Sequence, residues 1–427
     1  MDDIKNEDLL FDKLLSSLNF KGLLIHIVLP LLLSLFFIES LRAYVPGIYI
    51  QLFHVVFQDE GWEFSLLSLL TMALFALPLF TKILSKKFGT ERIMLVSIIL
   101  ISLSRLLIAC RISAIIETTL AALTIGVYGM YVGTYIGFLL TNKTKLSNTD
   151  KVSTFIISFI AAVLLDFLIR TLGFTLDITL TTWPIDPLNW TNYQYLWLIF
   201  QIPLSIIVIL IPILYWKKVA KEYTPLDSGS SEKTGKNLIA AVSGVGLGII
   251  WFLEFNILLY ANAIAQFTST NYFIMNCIVI AVITLTCFLL LTIRKRLILN
   301  KILIIVSNLL FAVIFIVFLY FGHLLTYLAS ILISISLVFV YFDIFYLLEF
   351  AGTKGKKMNK IRMISNVFAI SFGVFLLFSF LYDFTTDWSF TIRSFRDMGP
   401  PILLISVIIL VTMTLITLVY KKRRDEE

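Results

Sequence analysis

The chain has 427 residues, of which 59% are hydrophobic and 14% charged, with a net charge of +7 and a mean hydropathy of +0.95. That composition excludes a soluble globular domain. The excess of Lys and Arg does not mark a nucleic-acid binder either, because it falls on the connections between apolar runs, where it sets orientation and meets anionic headgroups.

Residues 1–21 read as an arm, with Leu10, Phe11, Leu14, Leu15 and Leu18 recurring at helical spacing, the pattern of an amphipathic helix lying on a membrane surface. Twelve apolar runs follow, at 22–52, 62–83, 92–112, 114–141, 151–173, 195–216, 237–260, 271–293, 301–322, 324–350, 362–384 and 400–420. Each is near or above the ~20 residues that a helix needs to cross a bilayer. The first is too long for the core of a cleavable signal peptide and follows an acidic arm, so no such peptide is expected.

Lys and Arg crowd every second connection. Twenty-eight of the 34 lie in the arm, in the even-numbered connections and in the tail 421–427. The opposite side holds only Arg111, Arg170, Arg393 and Arg396, while Arg42 and Arg105 lie within runs. The positive-inside rule then places both termini in the cytoplasm. A missed or invented span would invert the pattern downstream, and no inversion occurs. Trp62, Trp183, Trp190, Trp197 and Trp388 fall near the outer boundary, as an aromatic belt does.

The connection 217–236 is rich in Lys, Ser and Gly and is broken by Pro225, which is linker composition. It separates a first six-helix bundle, 22–216, from a second, 237–420. Arg92-Ile-Met-Leu-Val-Ser opens the third run and Lys301-Ile-Leu-Ile-Ile-Val-Ser opens the ninth, an echo that fits two parallel repeats. The fold class is therefore an all-α integral membrane protein of twelve transmembrane helices in two six-helix bundles. Cys110, Cys277 and Cys287 have no paired spacing, and His26, His54 and His323 are scattered, so neither a metal nor another cofactor is expected.

Ionisable groups inside a bilayer are costly, and each needs a partner or a purpose. In the first run Glu39 and Arg42 stand three residues apart and share a helix face, and Pro46 withdraws an N–H from the Arg42 carbonyl, which predicts a kink. Arg105 in the third run and Asp166 in the fifth read as structural charge pairs. In the fourth run Gly126, Gly129, Gly133 and Gly137 form one stripe, the spacing that lets helices approach closely. Tyr128, Tyr131 and Tyr135 form a second stripe about 140° round the helix at ~100° per residue. Their hydroxyls need partners that lipid cannot supply, which predicts a wet cavity. Trp251 and Glu254 share a face of the seventh run near Asn256, and Asp343 lies with Tyr346 in the tenth.

Twelve spans split six and six by a basic loop resemble the major facilitator superfamily. Arg42-Ala-Tyr-Val-Pro46-Gly47 with Gly61-Trp62 is similar to the end of that family's first helix and the start of its second. Leu84-Ser-Lys86-Lys87-Phe88-Gly89 resembles the loop signature between the second and third helices. Leu84, Lys87 and Gly89 fit it, Lys82 stands in place of its first glycine, and Lys86 stands in place of its aspartate. The resemblance implies a gating role for Lys86, Lys87 and Gly89. It also implies a central cavity lined by the first, fourth, seventh and tenth helices, the same helices that carry Glu39/Arg42, the tyrosines, Trp251/Glu254 and Asp343.

These features predict a secondary transporter of a small organic solute, working by alternating access and coupled to a proton gradient. Glu39 or Glu254 would carry the proton, since burial penalises the charged carboxylate. Arg42, Tyr128, Tyr131, Tyr135, Trp251, Asn256, Asp343 and Tyr346 would bind the solute. The expected setting is the plasma membrane, as a monomer whose partners are solute and lipid bilayer. Two other classes compete: a multi-span glycosyltransferase, for which Asp59-Glu60 would be the acidic motif, and a transporter-like sensor or lipid scramblase. The short first outer loop weighs against the enzyme.

Overall fold

A computed structural model of the protein describes residues 20–41, 70, 73–110, 114–141, 148–180, 200–214, 235–252, 277–287, 289, 331, 334–335, 338 and 357–385. All regular structure among these residues is helical. Helix α1 opens at Phe20–Leu23, passes through a π-helical stretch at Leu24–Val28 and continues to Leu41. It is followed by α2 (Leu77–Phe88), α3 (Thr90–Ala109), α4 (Ala114–Thr141), α5 (Asn148–Leu180), α6 (Phe200–Leu214), α7 (Gly235–Phe252), α8 (Cys277–Cys287) and α9 (Lys357–Thr385). Leu24–Leu41, Thr90–Ala109, Ile116–Leu139 and Lys360–Phe378 are long and apolar enough to cross a membrane by length and composition. Residues 1–19 of the arm, 217–234 of the linker, Pro46, Asp59 and the ninth and twelfth runs lie outside the described residues.

Helix α2 carries Pro78 in its first turn, where the missing N–H is not needed, and stops at Gly89. Gly89 has φ 89°, the left-handed region, and its N–H donates to the Ser85 carbonyl at 3.0 Å. No neighbouring atom lies within 4 Å of where a Cβ would stand, so the backbone alone asks for glycine here. Helix α3 begins at the next residue, with Glu91 in its first turn, where a negative charge meets the exposed N–H groups.

Side-chain contacts fix the direction of the helices. Tyr135 meets His26 and Tyr128 meets Ser34, so α1 and α4 run antiparallel. Gly137 meets Ile361 and Gly133 meets Ser365, so α9 is antiparallel to α4. Gly244 packs on Val367 and Ile370 and Gly248 on Ser371 and Val374, so α7 runs with α9. Lys82, Lys86 and Arg362 therefore gather at one end of the bundle, called the basic end below.

The glycine stripe of α4 is the contact surface that its spacing predicts, and it serves two neighbours. A Cβ on Gly126 would fall on the Leu74 carbonyl oxygen, and one on Gly129 would stand 2.6 Å from Pro78 Cγ and 3.1 Å from Phe372. A Cβ on Gly133 would fall on Ser365 Oγ, and one on Gly137 on Ile361 Cγ1. The stripe thus joins the first half of the chain to α9 of the second half. The larger apolar cluster among the described residues runs through both halves, from Leu33, Phe36 and Phe37 to Val367, Phe368 and Phe372, all fully buried.

A candidate solute site between the two halves

The tyrosines of α4 stand in a column along α1. Tyr128 and Ser34 share a hydrogen bond of 2.7 Å between hydroxyls. One turn nearer the basic end, Tyr131 stacks on Tyr135, with ring centroids 5.4 Å apart and 15° between planes. Nearest that end, the Tyr135 hydroxyl donates to the His26 carbonyl at 3.3 Å and lies 3.2 Å from His26 Nδ1. His26 sits in the π-helical stretch of α1, a geometry that opens the backbone ladder and often accompanies a functional position.

The sequence places these phenols on a wet cavity. In this conformation all three rings are buried. The neighbours that bury them are His26, Ser34 and Phe37 of α1, Phe155 of α5 and Phe368 of α9. Tyr128→Phe removes a buried hydroxyl and leaves Ser34 without that partner. We expect a loss of about 1–2 kcal/mol in thermal or denaturant unfolding, and unchanged stability would show that the bond contributes nothing.

Trp251 of α7 is fully buried where the halves meet. Its ring stacks on Phe372 at 5.6 Å, lies 5.9 Å from Phe368 and meets Phe37 of α1 edge-on at 5.2 Å. Phe37 in turn stacks on Tyr128 at 4.3 Å with 11° between planes. The aromatic chain Tyr128–Phe37–Trp251–Phe372 therefore crosses from the first half to the second. The indole Nε1 is buried and has no hydrogen-bond partner among the described residues, which is costly for a donor.

Towards the other end of the bundle the first half holds a group of buried polar residues. Arg105 is fully buried, donates from Nη1 to Ser40 Oγ at 3.0 Å and stands 5.9 Å over the Phe36 ring. Ser40 in turn donates to the Phe36 carbonyl at 2.8 Å. Glu39, Glu117 and Asp166 are buried as well. Arg105 thus ties α3 to α1 through Ser40, the neighbour of Glu39. Lys86, Lys87 and Gly89 lie exposed at the basic end, with the Lys87 ammonium 5.4 Å from the Phe88 ring. Arg42, Glu254, Asn256, Asp343 and Tyr346 lie outside the described residues.

Several polar residues here go unmarked in the sequence reading. His26 and Ser34 are two. Gln201 and Ser205 of α6 are others: both are fully buried, and their side-chain polar atoms have no hydrogen-bond partner among the described residues. They stand one turn apart in an apolar run, a signal of the kind that marks Glu39 and Arg42. Neither carries a charge, so a census of ionisable groups passes over them.

No protein-family profile matches this chain, and no curated protein matches its sequence. Solved structures do match along almost its whole length. The human organic anion transporter MFSD10 (TETRAN) is 13% identical with a TM-score of 0.60, covering 93% of this chain and 99% of that one. The proton:xylose symporter XylE bound to 6-bromo-6-deoxy-D-glucose is 15% identical with a TM-score of 0.61, covering 91% and 93%. A bacterial homologue of the iron transporter ferroportin, in an outward-facing state, is 12% identical with a TM-score of 0.61, covering 95% and 100%. At these identities the likeness establishes the fold.

Proposed function

We propose that this chain, which has the major facilitator fold, is a secondary transporter that moves a small organic solute by alternating access. The observation that carries the reading is the column of buried polar and aromatic groups at the junction of the halves, from His26 and Tyr135 through Tyr128 and Ser34 to Trp251. Such groups are costly in a membrane protein unless they are used. The fold supplies the two bundles that can rock about them.

The basic end is the cytoplasmic end in this reading, as the positive-inside rule requires. The conformation described above is then the one closed to the cytoplasm. Both termini face the cytoplasm, and the protein works as a monomer in the plasma membrane, with 217–236 as the tether between bundles. Arg42 anchors an anionic group of the solute. The tyrosines and Trp251 contact its apolar or sugar-like part when the column opens, with Asn256, Asp343 and Tyr346 opposite.

Coupling to the proton gradient is assigned to Glu39 or Glu254. Glu39 is buried beside Ser40, the acceptor of the Arg105 bond. The test is solute-induced proton movement in proteoliposomes, with a panel of organic anions, sugars and cationic drugs. One class is expected to give a signal that the Glu39→Gln/Glu254→Gln protein lacks. Gradient-driven uptake that survives in that variant would overturn the proton assignment.

A further inference from the structure

The loop signature that this chain resembles has an aspartate where Lys86 stands, and the structure shows what the exchange does. Helix α2 packs against α9, so the flank of α2 that carries Lys82 and Lys86 meets the start of α9. Ile361 and Ser365 point from α9 into the glycine stripe. Arg362, one residue past Ile361, is exposed beside them. Arg362 and Lys86 both act electrostatically on Lys82, and both repel it. No carboxylate among the described residues pairs with any of the three. Glu91, the nearest acid in sequence, stands in the first turn of α3. Lys82 therefore has a like charge near it from each half of the protein, Lys86 and Arg362, where the signature has an aspartate.

The α2 surface beneath these cations is apolar and open. Leu79, Lys82, Ile83 and Lys86 recur at i, i+3, i+4 and i+7, a single stripe on the helix. Leu79 is 50% exposed and Ile83 62%. The stripe thus passes from exposed hydrocarbon in the span to positive charge at the rim. An amphiphile with an anionic head and a hydrocarbon tail has that shape, and a free anion uses only half of it.

We propose that the seam between α2 and α9 is a binding site for an anionic phospholipid of the leaflet at the basic end. Its phosphate sits among Lys82, Lys86 and Arg362, and an acyl chain lies along Leu79 and Ile83. The bound head supplies the negative charge that Lys86 removes from the seam. Because it bridges the two halves, it favours the conformation in which this end is closed.

The test uses the full-length protein in detergent, titrated with phosphatidylglycerol and, separately, with phosphatidylcholine and inorganic phosphate, with native mass spectrometry counting bound molecules. One phosphatidylglycerol is expected to bind ahead of phosphatidylcholine. In a Lys82→Gln/Lys86→Gln/Arg362→Gln protein that binding weakens about 100-fold, at about fivefold for each charge removed near the membrane surface. A Lys87→Gln protein, which loses an exposed charge on the same loop but outside the stripe, keeps it. Equal retention of phosphatidylglycerol by the triple variant, or equal binding of the two lipids, overturns the proposal. Full displacement of the lipid by millimolar phosphate reassigns the site to a free anion and overturns the lipid part. Should the triple variant fail to fold, Ile83→Gln with the three cations intact is expected to weaken lipid binding, and unchanged binding there counts against the acyl contact.

Discussion

Gly133→Ala combined with Gly137→Ala drives the protein out of the conformation described here and opens the basic end. The two new methyl groups would fall on Ser365 Oγ and Ile361 Cγ1 of α9. Relief requires α9 to move away from α4, which parts the two halves. Overpacking of this kind costs about 1–3 kcal/mol, enough to change the ratio of two conformations by about 5- to 150-fold. A cysteine at Ile364, fully buried in this state, reports it in a background lacking Cys110, Cys277 and Cys287. Its labelling by a membrane-impermeant maleimide from the basic side should accelerate by a similar factor. Gly373→Ala is the control, because nothing lies within 4 Å of its Cβ position. Gly126→Ala is a second control: its clash is with the Leu74 carbonyl oxygen, inside the first half, so it should lower stability without changing the labelling. Equal labelling of the double variant and the parent would mean that the glycine stripe does not hold the end shut.

Trp251→Ala carries the largest expected loss of stability, about 3–5 kcal/mol for a fully buried large aromatic side chain. The cavity would open between Phe37, Phe368 and Phe372, which come from both halves. Trp251→Phe separates packing from chemistry. It keeps most of the aromatic contact and deletes Nε1, the buried donor with no partner among the described residues. We expect Trp251→Phe to recover most of the unfolding stability lost in Trp251→Ala while transport falls at least about tenfold, the value of one good hydrogen bond to solute. If transport recovers along with stability, the indole is a structural bridge and its N–H does not bind solute.

The sequence shows the fold more plainly than the site, and particular residues explain why. Alternating charge along the chain fixes the helix directions that the His26–Tyr135 and Gly137–Ile361 contacts display. The glycine stripe announces a close contact through its spacing alone. That Gly133 and Gly137 meet the other half, while Gly126 meets α2's approach, is not legible, because apolar helices carry no label for their partners. His26 looks like one of three scattered histidines. Its partner is 109 residues away, and only the antiparallel pairing of α1 and α4 brings them together. The tyrosine stripe is legible as a set of hydroxyls needing partners. The state of the cavity around it is a property of the conformation, which a linear sequence does not specify. At Lys86 the departure from the family signature is visible in the sequence, but the consequence is not. It takes the packing of α2 on α9 to bring Arg362 of the second half to the same end as Lys82 and Lys86.

The account stands on two halves that rock about the aromatic bridge, and paired spin labels test this most directly. One pair, at Phe88 and Asn366, spans the basic end. The other, at Ile116 and Leu377, spans the opposite end. Both Ile116 and Leu377 are exposed, at 41% and 55%. The account predicts two populations in lipid, one short at the basic end and long at the other, and one reversed. Gly133→Ala/Gly137→Ala should enrich the reversed population at both pairs together. A single distance at each end, unmoved by the double variant and by every solute in the panel, would describe a rigid protein and contradict alternating access.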